Sequence, residues 1–95
     1  MASIEMDKEV IKKACEELMK KVGEEVREND RLVSEMDTTG FKNVYIGDTY
    51  EYRKVMFGMK QIMKAQTLIN LCEMAKDYIR IDDEEYNLLY TYLNK

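Results

Sequence analysis

The sequence has no histidine, no proline and no tryptophan, and only two of its 95 residues are cysteines. Two thiols without an imidazole cannot complete the four-ligand set of a structural zinc site, so we expect no metal in this chain alone. Most general acid–base and nucleophilic sites are built around histidine or an activated cysteine, and nothing in the sequence pairs another base with a nucleophile. We therefore predict a protein that is not an enzyme, with no catalytic residues and no cofactor.

The absence of proline also has a structural consequence, because proline is the strongest helix breaker. Lysine, glutamate, methionine and leucine are abundant, and all four favour helices. No repeat and no Pro-rich or Gly-rich stretch divides the chain, so residues 1–95 are predicted to form a single domain. The predicted fold class is mainly α, within the α+β group: a long N-terminal helix, one β-hairpin, a long central helix and a short C-terminal helix.

Long apolar runs are missing as well, and the first stretch, MASIEMDKEV, is too polar and too acidic for a signal peptide. We expect no membrane-spanning segment and no membrane partner. Cys15 and Cys72 fall on two different predicted helices, a placement typical of buried free thiols in an intracellular protein. Together these features predict a cytoplasmic protein.

The chain is acidic, with a net charge of −4, but the charge is unevenly placed. Residues 41–81 carry 7 basic and 4 acidic groups, a net of +3, whereas residues 1–40 and 82–95 have net charges of −4 and −3. An acidic chain repels nucleic acid at long range, so nucleic acid is disfavoured as a partner.

The N-terminal helix is predicted for residues 3–36, with Ser3 or Asp7 as its cap. Unbroken, it would be roughly 50 Å long, whereas a compact domain of this size is about 30 Å across. Two alternatives follow: the helix breaks near residues 28–30, or its end projects and pairs with a second copy in a homodimer. Its core positions recur at spacings of three and four: Ile11, Cys15, Leu18, Val22 and Val26.

A β-hairpin is predicted for residues 41–53, where the apolar period shifts to two and Gly47-Asp48 supplies a two-residue turn. In this register Tyr45 faces Tyr50, and Tyr52 lies on the same side. Either this aromatic side covers the core, or its tyrosines stay exposed as anchors for a partner, because tyrosine combines a large contact area with a polar tip.

The central helix, predicted for residues 54–80, carries two apolar faces. One face is predicted to be core: Gly58, Ile62, Ala65, Leu68, Ile69, Cys72, Ala75 and Ile79. The other face bears Met56, Met59, Met63 and Met74. Methionine fills irregular gaps in small cores and is also frequent on adaptable binding surfaces, so this face either covers the hairpin from within or meets a partner.

The C-terminal helix is predicted for residues 82–94. Asp82 is placed to cap it, and Glu85, three residues on, is placed to complete a capping box. A run of four carboxylates could also attract a cation, but the spaced oxygen ligands and glycine of a calcium loop are missing. Capping is therefore the favoured role of these acids.

These features predict a small protein-binding module, an adaptor or inhibitor that occupies a surface on another protein, with homodimerisation left open. Small inhibitors from phages and mobile elements often have such compositions. One alternative is a small-ligand module, in which tyrosines of the hairpin and last helix, with Arg53, Lys54 or Lys60, enclose a nucleotide-like or anionic molecule. Another is a structural subunit of a larger assembly. The predicted partner-binding residues are Tyr45, Tyr50, Glu51, Tyr52, Met56, Met59, Met63 and Met74.

Overall fold

A computed structural model describes residues 3–38 and 49–93. Within them the chain forms two short strands and three helices. These elements are β1 (Ile4–Asp7), α1 (Lys8–Thr38), α2 (Tyr50–Met74), β2 (Tyr78–Ile81) and α3 (Asp83–Leu93). The predicted class is confirmed, since the described chain is mainly helical with one two-stranded antiparallel sheet.

The sheet joins two segments that are far apart in the chain. Ile4 lies opposite Ile81, and Met6 lies opposite Ile79. The side chains of β2 alternate: Ile79 and Ile81 are buried, whereas Tyr78 and Arg80 are exposed. Next to the sheet, the Lys8 backbone N–H donates to the Asp77 carbonyl at 3.0 Å. The start of α1 is thereby held beside the turn that follows α2.

The position of the β-structure differs from the prediction of a hairpin over residues 41–53. Residues 41–48 lie outside the described residues, and Tyr50–Arg53 form the first turn of α2 instead of a strand. Thr49 is the N-cap, and its side-chain oxygen accepts a hydrogen bond from the Tyr52 N–H at 3.1 Å. A threonine cap followed by Glu51 in the first turn favours a helix start, and this outweighs the alternation of two tyrosines.

The first helix is continuous through residues 28–30, so the proposed break there is wrong. Asn29 points its amide back along the helix, and its Nδ2 donates to the Glu25 carbonyl at 2.7 Å. Arg31 forms ion pairs with Glu28 and Glu35, one turn away on either side. These contacts within the helix support its continuation.

The helix also begins later than predicted, because residues 4–7 belong to the sheet. Asp7 caps it, as its carboxylate accepts a hydrogen bond from the Glu9 N–H at 2.8 Å. The central helix likewise ends at Met74 rather than at residue 80, since Ala75 takes an extended conformation and residues 78–81 pair with β1. Both differences have one cause, the long-range strand pairing.

The core contains most of the predicted stripe of each long helix. Val26, Ile62 and Ala75 are only partly buried against it, and Ile79 is buried from β2. Gly58 lies at a close contact between α1 and α2, because a Cβ atom on it would be 2.4 Å from Val26 Cγ2 and 3.2 Å from Val22 Cγ1. Glycine is therefore required by packing at this position. The buried apolar residues are Ile11, Ala14, Cys15, Leu18, Val22, Val55, Ala65, Leu68, Ile69, Cys72, Ile79, Ile81 and Leu89.

The start of α3 is the predicted capping box. The Glu85 N–H donates to Asp82 Oδ1 at 2.8 Å, and the Asp82 N–H donates to Glu85 Oε1 at 2.9 Å. Two backbone donors at the helix start are satisfied in this reciprocal way. The carboxylates of residues 82 and 85 are thus used by the fold.

Candidate functional site: the methionine face and a neighbouring groove

The outer side of α2 exposes four methionines, which we call the methionine face: Met56, Met59, Met63 and Met74. Their spacings of 3, 4 and 11 residues place them on one side of the helix, opposite the buried stripe. They are 43%, 49%, 67% and 84% exposed, respectively. The interpretation that they cover the fold from within is therefore not supported, because the described elements leave them open to solvent.

Polar groups interrupt the methionine face in a regular way. Thr67 Oγ1 donates back to the Met63 carbonyl at 3.0 Å. Gln66 Nε2 donates to Asn70 Oδ1 at 3.1 Å along the same helix. Because these groups are already hydrogen-bonded within α2, covering them costs less than covering free polar groups.

Cations border this face. Lys60 is exposed among the methionines, and Lys64 forms an ion pair with Glu84 of α3 at 3.8 Å. That pair is more than half exposed on both sides, so it contributes little to stability. The methionine face is therefore an apolar strip bordered by the Lys60 cation and by the Lys64–Glu84 ion pair.

Two of the predicted tyrosines, Tyr50 and Tyr52, lie on the same helix as the methionines, because α2 begins at Tyr50. Tyr50 is 63% exposed, whereas Glu51 and Tyr52 are half-buried in the first turn of α2. Tyr52 precedes Met56 by four residues, so the two share the outer side of the helix. Tyr45 lies outside the described residues.

A second feature is a groove between α1, α2 and the end of α3. Arg53, Lys54 and tyrosines belong to the ligand site that the sequence offers as an alternative, whereas Phe57 and the residues of α1 do not. The volume of the groove is about 670 Å³. Phe57, which is 65% exposed, lies in it one turn after Arg53 and Lys54. We call it the aromatic groove, and its lining residues are Val22, Glu25, Val26, Asn29, Tyr50, Arg53, Lys54, Phe57, Gly58, Gln61 and Tyr92.

The spacing of residues 50, 54, 57 and 61 could have indicated this groove, since it places them on one flank of a helix. That pattern becomes visible only when Tyr50 belongs to α2. The hairpin predicted for residues 41–53 instead places Tyr50 on a strand, apart from its helical neighbours. The sequence therefore indicates the tyrosines and cations of the groove, but not the helix flank that brings them together with Phe57.

The aromatic groove contains both charges and rings. The Lys54 ammonium lies 4.5 Å from the centroid of the Tyr50 ring, within the range of a cation–π contact. Burial, with a smaller contribution from the nearby Glu25 carboxylate, raises the pKa of the Tyr92 hydroxyl. Tyr92 thus stays a neutral hydrogen-bonding group in the groove at physiological pH.

The two cysteines are structural groups. Burial, with smaller contributions from Cys72 and neighbouring carboxylates, raises the pKa of the Cys15 thiol to about 12. Burial also raises the pKa of Cys72. Since the thiolate is the reactive form of cysteine, both thiols are poor nucleophiles in the folded state.

Metal binding and membrane insertion can both be assessed from residues 3–38 and 49–93. No group of three or more cysteine, aspartate or glutamate residues there is arranged to hold a metal ion. None of the helices in the same residues combines the length and the apolar character needed to cross a membrane.

Comparisons with known proteins complete the description of the site. No protein-family model matches the chain, and neither the curated proteins nor the solved structures contain a match.

Proposed function

We propose that this chain is a small, non-enzymatic protein-binding module that acts by occupying a surface of another protein through the methionine face. The observation that carries the proposal is the exposure of all four methionines on the outer side of a helix whose opposite side contributes buried residues to the core. Soluble monomers rarely expose contiguous apolar patches larger than a few hundred Å², and larger patches mark interaction sites.

The chemistry of the face indicates the kind of surface it fits. Methionine side chains are flexible and polarisable, so they can adapt to an apolar ridge or helix on the partner. The exposed Lys60 cation favours a partner with a carboxylate beside that apolar strip. Burial of the methionines would supply the affinity, and the charges would orient the two proteins.

A charge placed within the face tests the proposal. The purified chain is used to capture a binding protein, and the affinity of that protein is then measured for Met56→Glu and Met63→Glu. We expect each substitution to weaken binding by at least about tenfold, because a carboxylate would have to be desolvated in an apolar interface. Circular dichroism and the melting temperature should stay unchanged, as both side chains are exposed.

Val10→Glu is the matched control, because Val10 is 41% exposed and lies on α1. The control introduces the same charge at a similar exposure, away from the methionine face. We expect it to bind as the unmodified chain does. A partner that binds the Met56 and Met63 variants with unchanged affinity would show that this face is not the interface.

The partner can be a different protein or a second copy of this chain, and light scattering separates the two. A homodimer in which the methionine face is the interface should dissociate to monomers in Met63→Glu. If the chain is a monomer on its own, the captured protein is the occupant of the face.

A further inference from the structure

We infer that the aromatic groove is a second site, distinct from the methionine face, that binds a small planar aromatic anion. The groove lies on the flank of α2 that faces α1 and α3, while the methionines lie on its outer side. Its volume of about 670 Å³ falls within the range of roughly 300–1,000 Å³ that is usual for small-molecule sites. The inference therefore concerns a different surface and a different class of ligand from the proposed function.

The charges of the groove select an anion. Two cations, Arg53 and Lys54, line it against one carboxylate, Glu25, which gives a net charge of +1 in a chain whose net charge is −4. Neither cation forms an ion pair with a carboxylate of residues 3–38 or 49–93. A ligand could therefore bind both cations without breaking an ion pair within those residues.

The rings of the groove select a planar group. Phe57 and Tyr92 come from different helices and line the same space. Tyr50 also lines it, with the Lys54 ammonium over its ring. Phe57 is mostly exposed, so covering it with a planar ligand would remove apolar surface from water. A planar aromatic anion would gain both stacking and charge attraction in the groove, so it should bind more tightly than a neutral ring or an inorganic anion.

The floor of the groove is formed by small and aliphatic groups of the two long helices. Gly58 carries no side chain, and Val22 and Val26 lie against it. Gln61 and Asn29 add amide groups along the walls. A flat ring system can therefore reach apolar contacts, while its edge meets hydrogen-bonding groups and its acidic substituent meets the cations.

Four probes separate the contributions of ring and charge. AMP and 1-naphthoate are planar aromatic anions, and adenosine and 1-naphthamide are their neutral counterparts. Isothermal titration calorimetry with the full chain should detect both anions with dissociation constants below ~1 mM. We expect each neutral counterpart to bind at least about fivefold more weakly. Failure of both anions to bind in this range would overturn the inference.

Variants of the lining residues locate the site. Arg53→Gln and Phe57→Ala should each weaken anion binding by about tenfold, whereas Glu25→Gln should strengthen it because it removes the opposing charge. Lys60→Gln is the matched control, since Lys60 is an exposed cation of α2 that does not line the groove. Equal losses in Lys60→Gln and Arg53→Gln would mean that the anions bind by general charge attraction, which contradicts a built site.

The outcome is independent of the proposed function. Met63→Glu should leave AMP and 1-naphthoate binding unchanged, because Met63 lies outside the groove. If instead Met63→Glu weakens the binding of the aromatic anions and Phe57→Ala does not, the anions occupy the methionine face. The inference is then wrong, while the proposed function still stands.

Discussion

The buried thiol of Cys15 links the stability of the fold to pH. Cys15 is fully buried, and its pKa is raised from 9.0 to about 12. Below pH 9 the thiol is protonated in both the folded and unfolded states, and its contribution to stability is complete. As the pH rises above 9, the unfolded chain releases this proton while the folded chain keeps it, so the free energy of unfolding falls until the folded thiol also ionises near pH 12.

We therefore expect the urea midpoint of the unmodified chain to fall more steeply above pH 9 than that of Cys15→Ala. The comparison uses slopes, because the alanine variant also loses packing and is less stable at every pH. The other ionisable groups are common to both proteins. Parallel slopes would show that the Cys15 thiol ionises as easily in the fold as in the unfolded chain.

The contact between α1 and α2 depends on one glycine. A side chain at position 58 would meet Val26 Cγ2 at 2.4 Å, and valine is stiff, so the helices would have to separate. Alanine gains about 1 kcal/mol over glycine in helix propensity, but overpacking costs about 1–3 kcal/mol. We expect Gly58→Ala to lower the free energy of unfolding, as measured by urea denaturation.

Gly23→Ala is the matched control, since Gly23 is also inside a long helix and no atom lies within 4 Å of its Cβ position. It should stabilise the protein by about 0.5–1 kcal/mol. Val26→Ala combined with Gly58→Ala should recover part of the loss by making room. If Gly58→Ala were as stabilising as Gly23→Ala, the two helices would not be in close contact at this position.

At the level of whole elements, the features that depend on neighbouring residues were predictable from the sequence. The capping box of Asp82 and Glu85 is confirmed by two reciprocal hydrogen bonds. The buried stripe of α2 follows from its period, and so does the methionine face. The exposure of that face did not follow, because it depends on which other elements pack against α2.

The features that depend on distant residues were not predictable. Residues 78–81 continue the helical apolar stripe through Ile79, and only their pairing with residues 4–7 makes them a strand. In the other direction, Tyr50 and Tyr52 alternate as in a strand, but the Thr49 cap starts a helix there. For the same reason the sequence indicates the tyrosines and cations of the aromatic groove, but not its geometry, which combines residues from three helices.

At the scale of the whole molecule, the sheet closes the chain on itself. Ile4 and Ile81 are 77 positions apart, yet they pair and bring the first strand to the end of α2. The Lys8 ammonium reinforces this junction by donating to the Ala75 carbonyl at 3.1 Å. The position of β2 therefore depends on residues at the opposite end of the sequence, and Ile81, which is 1% exposed, lies opposite Ile4 of β1.

A variant lacking residues 1–7 tests this dependence. We expect it to lose about 2–4 kcal/mol of unfolding free energy and to lose hydrogen-exchange protection of residues 78–81. Amides in the middle of α1 and α2 should keep most of their protection, because those helices retain their shared interface.

Glu5→Gln provides the contrast to this deletion, because it removes the exposed ion pair of Glu5 with Arg80 at 3.9 Å while leaving the strand in place. It should change stability by less than about 0.5 kcal/mol. If the deletion were as mild as this substitution, β2 would hold its position without β1, and the coupling between the two ends of the chain would be absent. If the deletion instead unfolded α1 and α2 together with β2, the sheet would be part of a single cooperative unit that extends through the entire core.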